Sequence, residues 1–442
     1  MKKYLSLIAL ACLSPCAFAA NDATAAASGH QRLTAAPAIR KVLDDVKADH
    51  DRAMAELRTL VEIPAPPFKE QARAAYFLAR LKELGLTDAY IDHEGNVIGV
   101  RKGTGKGPRL VLAAHLDTVF PEGTDVKVKE RDGRWYAPGI SDDTRGLAVL
   151  LSWLKVLNDN QLKTVGDLMF VANVGEEGLG DLRGMKALFR DHKDIDGMVG
   201  LEPAGQAPGK PDEITTTGTA SHRYEFDFKG PGGHSFEAFG LPSAIHAMGR
   251  AVAGISDIRP PVQPKTGFTV GTVQGGTSIN SIAADARIGV DIRSNGMAAL
   301  RTTEQQILAA VKDAVTQENR RWNSSLIHVD TKLVGDRPGG ATPTDSPIVQ
   351  AFVQAITGYG RPSPTFATHS SDANVPMSLG IPAVIISNAP HSGEQHTLHE
   401  WIDPSDAWQD AQIGLTGVLN LVGVDGVSQP VLARRGAGGD KQ

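Results

Sequence analysis

The sequence predicts an α/β protein in which a smaller α+β unit interrupts a larger layer built on a mostly parallel sheet. Three observations predict it. Apolar strand-like runs alternate with helical stretches from about residue 72 to 201 and again after residue 344. Between these flanks the order changes to β-α-β-β-α-β, the order of a ferredoxin-like unit. The chain has 442 residues, too many for one ordinary core.

The elements follow in order. Residues 1–19 read as a secretory signal: Lys2 and Lys3 precede an apolar run, and Ala17-Phe18-Ala19 gives a small-x-small cleavage site before Ala20. That run is too short to span a membrane. Export to a bacterial periplasm is the expectation. A lipoprotein signal acting on Cys16 is the competing reading, and Pro15 counts against it. The only cysteines, Cys12 and Cys16, fall inside the signal, so the mature chain has no thiol chemistry and any metal site uses His, Asp and Glu. Residues 20–37 read as an Ala/Ser/Thr-rich linker.

Residues 38–60 carry the spacing of an amphipathic helix, broken by Pro64, Pro66 and Pro67. A helix over 72–84 is closed by Gly85. Strands follow at 97–101 and 109–114, a helix at 146–157, a strand at 168–174, a helix at 182–189 and a strand at 197–201. In the second unit Tyr224, Phe226 and Phe228 alternate with charged residues, as in a half-buried antiparallel strand. A helix at 241–255, strands at 267–274 and 286–293, a helix at 299–315 and a strand at 326–333 complete it. The flank resumes with a helix at 348–357, a strand at 383–387 and a helix at 404–422. The domain boundaries are therefore 38–216 and 338–432 for the larger layer and 217–337 for the insert, with a disordered tail at 433–442.

With 41% hydrophobic and 21% charged residues the chain reads as soluble and globular, and a formal charge of −5 gives no electrostatic case for nucleic acid. No GxSxG elbow or Walker pattern is present. Carboxylates and histidines instead recur where strands end, the edge at which open α/β sheets bind ligands. His115 and Asp117 close the first such strand. Two residues apart in a strand, they face the same way, so Asp117 is expected to accept a hydrogen bond from His115. Asp142 and Asp143 sit in a Gly-bounded loop; one carboxylate can bridge two cations, and a helix N-cap serves Asp143 equally well. Glu176 and Glu177 follow the core strand at 168–174. One can bind metal while the other takes a proton from water; a solvated acidic loop is the plain alternative. Glu202 follows the apolar "MVGL". His396 competes with His391 and His399 in one short stretch.

Together, "HLDTV", "PGISDD", "GEEG", "GLEPAG" and "GEQHTLHE" resemble the co-catalytic zinc exopeptidase and amidohydrolase family of carboxypeptidase G, peptidase T, acetylornithine deacetylase, succinyl-diaminopimelate desuccinylase and aminoacylase. The resemblance implies a zinc-exopeptidase-like catalytic domain and an inserted lid and dimerisation domain. It implies two Zn²⁺, with cobalt or manganese able to substitute. His115 and Glu202 would hold one ion, Glu177 and His396 the other, and Asp142 both, with a cis peptide to Asp143. Asp117 would orient His115, and Glu176 would be the general base. Glu400 closes the H-x-x-x-E pattern. "GPGGHS" would supply His234 to the oxyanion from a partner subunit of a homodimer. Asn280 and Arg293 match substrate contacts, and Arg337 is a weaker match. "HSSDANVP" resembles a substrate-side loop of peptidase-T-like members. Thr144-Arg145-Gly146 departs from the usual Lys-Gly or Lys-Ala, and the segment before His396 lacks the usual glycines. Short peptides are the expected substrates, with N-acyl amino acids as the alternative and a non-catalytic peptide- or metal-binding protein as the reading outside enzymes.

Overall fold

The computed structural model describes residues 30–203, 211–389 and 391–436. The signal expected at 1–19 and residues 437–442 of the tail expected at 433–442 lie outside the described residues. Residues 30–35, placed in the linker by composition, are helical, and Leu33 is fully buried against the core. The one helix expected over 38–60 is two, Pro37–Ala48 and His50–Val61, meeting at Asp49. The Asp49 carboxylate pairs with Arg52 and accepts from Ser152, which fixes the junction.

The large layer is a nine-stranded mixed sheet. Its centre is parallel: Asp167–Asn173, Arg109–His115, Gly197–Glu202 and Ala383–Ser387 lie side by side. Its flanks are antiparallel, with Val97–Arg101 and Tyr90–Ile91 on one side. On the other, Glu213–Gly218 pairs antiparallel with Ala383–Ser387 and with Gly340–Ala341, and parallel with Thr365–His369. The central strands are apolar throughout because both faces are covered. In Arg109–His115, Leu110, Leu112 and Ala114 enter the core beneath helices Arg145–Asp159 and Trp408–Val422, while Val111 and Ala113 enter a second core on the opposite face.

The inserted unit is a four-stranded antiparallel sheet. Its spatial order is Thr266–Gly275, Asp285–Ser294, Ala220–Lys229, His328–Arg337. Helices Ala244–Ser256 and Met297–Arg321 pack on one face of it. Phe226, Phe228, Ile288 and Ile292 give it a core of its own. This is the β-α-β-β-α-β order read from the sequence. The boundary expected at 216–217 falls slightly later, because Glu213–Gly218 still belongs to the large sheet. Only Thr219 separates that strand from Ala220–Lys229. The return runs from Arg337 through Pro338 and Gly339 to Gly340, which pairs with Gly218. Among the described residues no helix is long and apolar enough to cross a membrane.

Candidate active site

The four central strands run parallel, so their carboxyl ends meet at one edge of the sheet. His115 ends one strand and Glu202 another; Glu176 and Glu177 follow the third. The loop carrying Asp142 precedes helix Arg145–Asp159, and its Asp142–Asp143 peptide is cis, as the resemblance implies. Glu400 anchors this loop. Its carboxylate accepts from the N–H groups of Gly139, Ser141 and Asp142 at 2.8–2.9 Å and from the Ser141 hydroxyl at 2.7 Å. Burial pushes the Glu400 carboxyl up to about 7. Gly146 permits the close approach of the loop to the helix, since a Cβ there would lie 2.4 Å from Asp143 Oδ1.

Two sets of three ligand atoms that share a residue converge at this edge, beside a third close group of His115, Glu176 and Glu177. One is His115, Asp142 and Glu202; the other is Asp142, Glu177 and His396. Asp142 belongs to both. Its Oδ1 lies 3.0 Å from His115 Nε2 and its Oδ2 lies 3.3 Å from His396 Nε2. Glu177 Oε1 lies 3.1 Å from His396 Nε2. The groups fit cations. His115 Nδ1 faces the Asp117 carbonyl at 2.9 Å; donating there leaves the Nε2 lone pair aimed at the Asp142 oxygen, two acceptors that need a positive charge between them. Buried Glu202 Oε1 has no hydrogen-bond partner among the described residues. Burial, then the neighbouring Glu176 and Asp142 carboxylates, push Glu202 well above the usual carboxylate range. Such a concentration of buried acids is costly without counter-charge. For Asp142, burial works against the charged form, but contacts with His115 and His396 outweigh it and hold the group below the usual range.

Asp117 is placed differently from the expectation. Its carboxylate lies 3.8 Å from His115 Nδ1. It accepts instead from the N–H groups of Gly175, Glu176 and Glu177 at 2.8–3.2 Å. The strand ends at His115, so the two-residue alternation no longer governs Asp117, and its carbonyl orients the imidazole. Asp143 turns away from the ligand sets; it accepts the His115 N–H at 3.0 Å and the Asn388 side-chain amide at 2.5 Å.

A cavity of about 630 Å³ opens over the ligands. Asp142, Glu176, Glu177, Glu202 and His396 line it, as do Arg293, Arg337 and residues 369–371 of the "HSSDANVP" segment. Arg293 also pairs with Asp291 at 2.8 Å. Arg337, expected at the substrate, bonds Glu176 Oε1 at 3.0 Å. Burial is the main cause that pushes the Glu176 carboxyl well up, partly opposed by Arg337. His234 and Asn280 come together with each other but do not line this cavity. His234 lies exposed on the short strand Gly233–His234, paired to Ser281. His391 and His399 are outside both ligand sets among the described residues. Sequence reasoning missed the loop-anchoring role of Glu400, the amide of Asn388, and Asp372. Asp372 is buried, accepts from Asn173 Nδ2 at 2.7 Å and is pushed up to about 6, mainly by burial.

Known proteins resemble this chain in sequence and in fold. Carboxypeptidase G2 of Pseudomonas sp. (strain RS-16) is 25% identical over 350 residues, 76% of this chain and 80% of that protein. The fold matches a tripeptidase from Staphylococcus aureus with a TM-score of 0.69 at 22% identity, covering 84% of this chain and 97% of that one. It also matches a dinuclear metal binding peptidase of the M20 family from Bacillus subtilis, with a TM-score of 0.62 at 18% identity over 85% of this chain and 99% of that one. The family model for Peptidase family M20/M25/M40 matches residues 111–418. With its strand-end acids and histidines gathered into two sets that share Asp142, this metal-dependent hydrolase belongs to peptidase family M20/M25/M40.

Proposed function

We propose that the chain is an exported two-zinc hydrolase that cleaves amide bonds of short peptides, with Glu176 as general base. The observation that carries this reading is the sharing of Asp142 by two three-residue ligand sets beneath one cavity, with Glu176 at its edge and unneeded by either set. His115, Asp142 and Glu202 would hold one ion, and Asp142, Glu177 and His396 the other. When bound, the ions would supply polarisation of the scissile carbonyl and acidification of a water. Glu176 is placed to accept a proton from the attacking water and to return it to the leaving amine. Its burial suits this exchange, because a raised pKa brings a carboxylate nearer the range in which proton transfer runs both ways.

The test loads the purified chain with zinc or cobalt and assays a panel of dipeptides, tripeptides and N-acyl amino acids. Two ions per chain and turnover of peptides support the reading. Turnover confined to the N-acyl amino acids makes it a deacylase, and two bound ions without turnover make it a binding protein.

The exposed position of His234 supports a homodimer in which a second copy brings this side chain to the cavity. His234→Ala is expected to lower kcat by about 10²–10³-fold, as loss of an oxyanion donor does. A dimer whose kcat is unchanged in this variant would remove His234 from the mechanism. Export is checked by cell fractionation and N-terminal sequencing: a periplasmic chain that begins at Ala20 is expected, and a cytoplasmic chain with Met1 intact would end the export reading.

A further inference from the structure

Arg337 is the last residue of strand His328–Arg337, through which the inserted unit returns to the large layer. Its guanidinium is buried. Nη1 donates to Glu176 Oε1 at 3.0 Å and to Ser370 Oγ at 3.4 Å, and Nη2 donates to the Glu176 carbonyl. Nε is closed to solvent and has no partner among the described residues. A fork that grips a substrate carboxylate uses two neighbouring nitrogens. Both forked nitrogens of Arg337 already hold residue 176.

The loop at 175–181 is held from two sides. Asp117 takes its first three N–H groups, as described above. The inserted unit holds it at three further points. Besides Arg337, Arg223 Nη1 donates to the Gly178 carbonyl at 2.5 Å, and the Asp336 N–H donates to Asp181 Oδ1 at 2.9 Å. A buried ion pair that only balances charge needs no second bond to the backbone of its partner. Arg337 makes that second bond, so it constrains where the Glu176 side chain starts as well as where it ends.

We propose that Arg337 is a positioning residue: it aims Glu176 and ties that aim to the seating of the inserted unit, and it does not bind substrate. The inference rests on Glu176 being the base.

The test uses full-length, zinc-loaded chain with Arg337→Met and Arg337→Lys, assayed on the panel peptide turned over fastest and on its C-terminal amide. For Arg337→Met, kcat is expected to fall by about 10–100-fold, the scale of a small misplacement of a reacting group. KM should stay within about twofold, and zinc should stay at two per chain. Amide hydrogen exchange in residues 175–181 should speed up by about tenfold, since the loop loses one of its anchors. Arg337→Lys keeps the charge and one bond, so part of the kcat should return. A KM raised more than about tenfold at unchanged kcat, with the preference for a free C-terminus lost, would make Arg337 a substrate contact. Values of kcat and KM both near those of the parent would reduce it to charge balance. If Arg337→Met does not fold, Arg337→Lys decides by the same split. Turnover retained in Glu176→Gln would sink the base reading and this proposal with it. A failure confined to the Arg337 variants leaves that reading standing.

Discussion

Glu176→Gln is expected to keep two metal ions per chain and to lose turnover by about 10²–10⁴-fold, the usual worth of a general base. The substitution is nearly isosteric. It leaves both ligand sets whole, because neither His115–Asp142–Glu202 nor Asp142–Glu177–His396 uses residue 176. The amide can still accept from Arg337, so the loop stays anchored on that side and by Asp117 beneath. What the amide cannot do is take a proton. Metal content by mass spectrometry and kcat on the best panel substrate measure the two quantities separately. Near-normal turnover would remove Glu176 from the chemistry. Loss of zinc together with turnover would make it a ligand, in line with the third close grouping of His115, Glu176 and Glu177.

Asp142→Ala is expected to empty both positions at once. A carboxylate shared by two sites cannot be lost from one of them alone. Loss of a group that merely supports a ligand weakens metal binding by about 10–100-fold; loss of the shared ligand should exceed that. Zinc per chain should fall from two to below one. Zinc should raise the thermal midpoint of the parent, since an ion present at about 1,000 times its Kd adds about 4 kcal/mol. The variant should show no such rise. Two ions retained in Asp142→Ala would show that the sets are held independently, and the bridge would be abandoned.

Much of this site is legible in the sequence because parallel strands place their ends together. His115, Glu177 and Glu202 each follow an apolar run, and the alternation of strands with helices is enough to bring those ends to one edge. The choice between Asp142 and Asp143 is not local. It is made when the His115 N–H and the Asn388 amide take the Asp143 carboxylate inward. His396 could not be told from His391 and His399 by residue type. It is selected by a loop with positive φ, held between the short strands Ser392–Gly393 and Trp401–Ile402. The strands Glu213–Gly218 and Thr365–His369 are not legible in the sequence because they are Thr-rich and carry no apolar run. Their partners lie far away in the chain. The engagement of Arg337 with Glu176 spans 161 positions, and no periodicity reaches that far. Asp117 shows the opposite failure: a sound two-residue rule was carried past the end of the strand that justified it.

The paths into and out of the inserted unit run side by side, one at Gly218–Ala220 and the other at Arg337–Gly340, with Gly218 and Gly340 as paired neighbours. The unit hangs from the enzyme by two adjacent threads at the border of the large sheet. Its start and finish nearly coincide in space, so a short turn could join them without disturbing any central strand. Such an architecture is modular in a genetic sense. The roughly 120 residues between the threads interrupt none of the ligand-bearing strands, so the unit can vary in size and sequence while the ligand-bearing edge keeps its register, provided that Arg223, Asp336 and Arg337 keep their hold on the loop at 175–181.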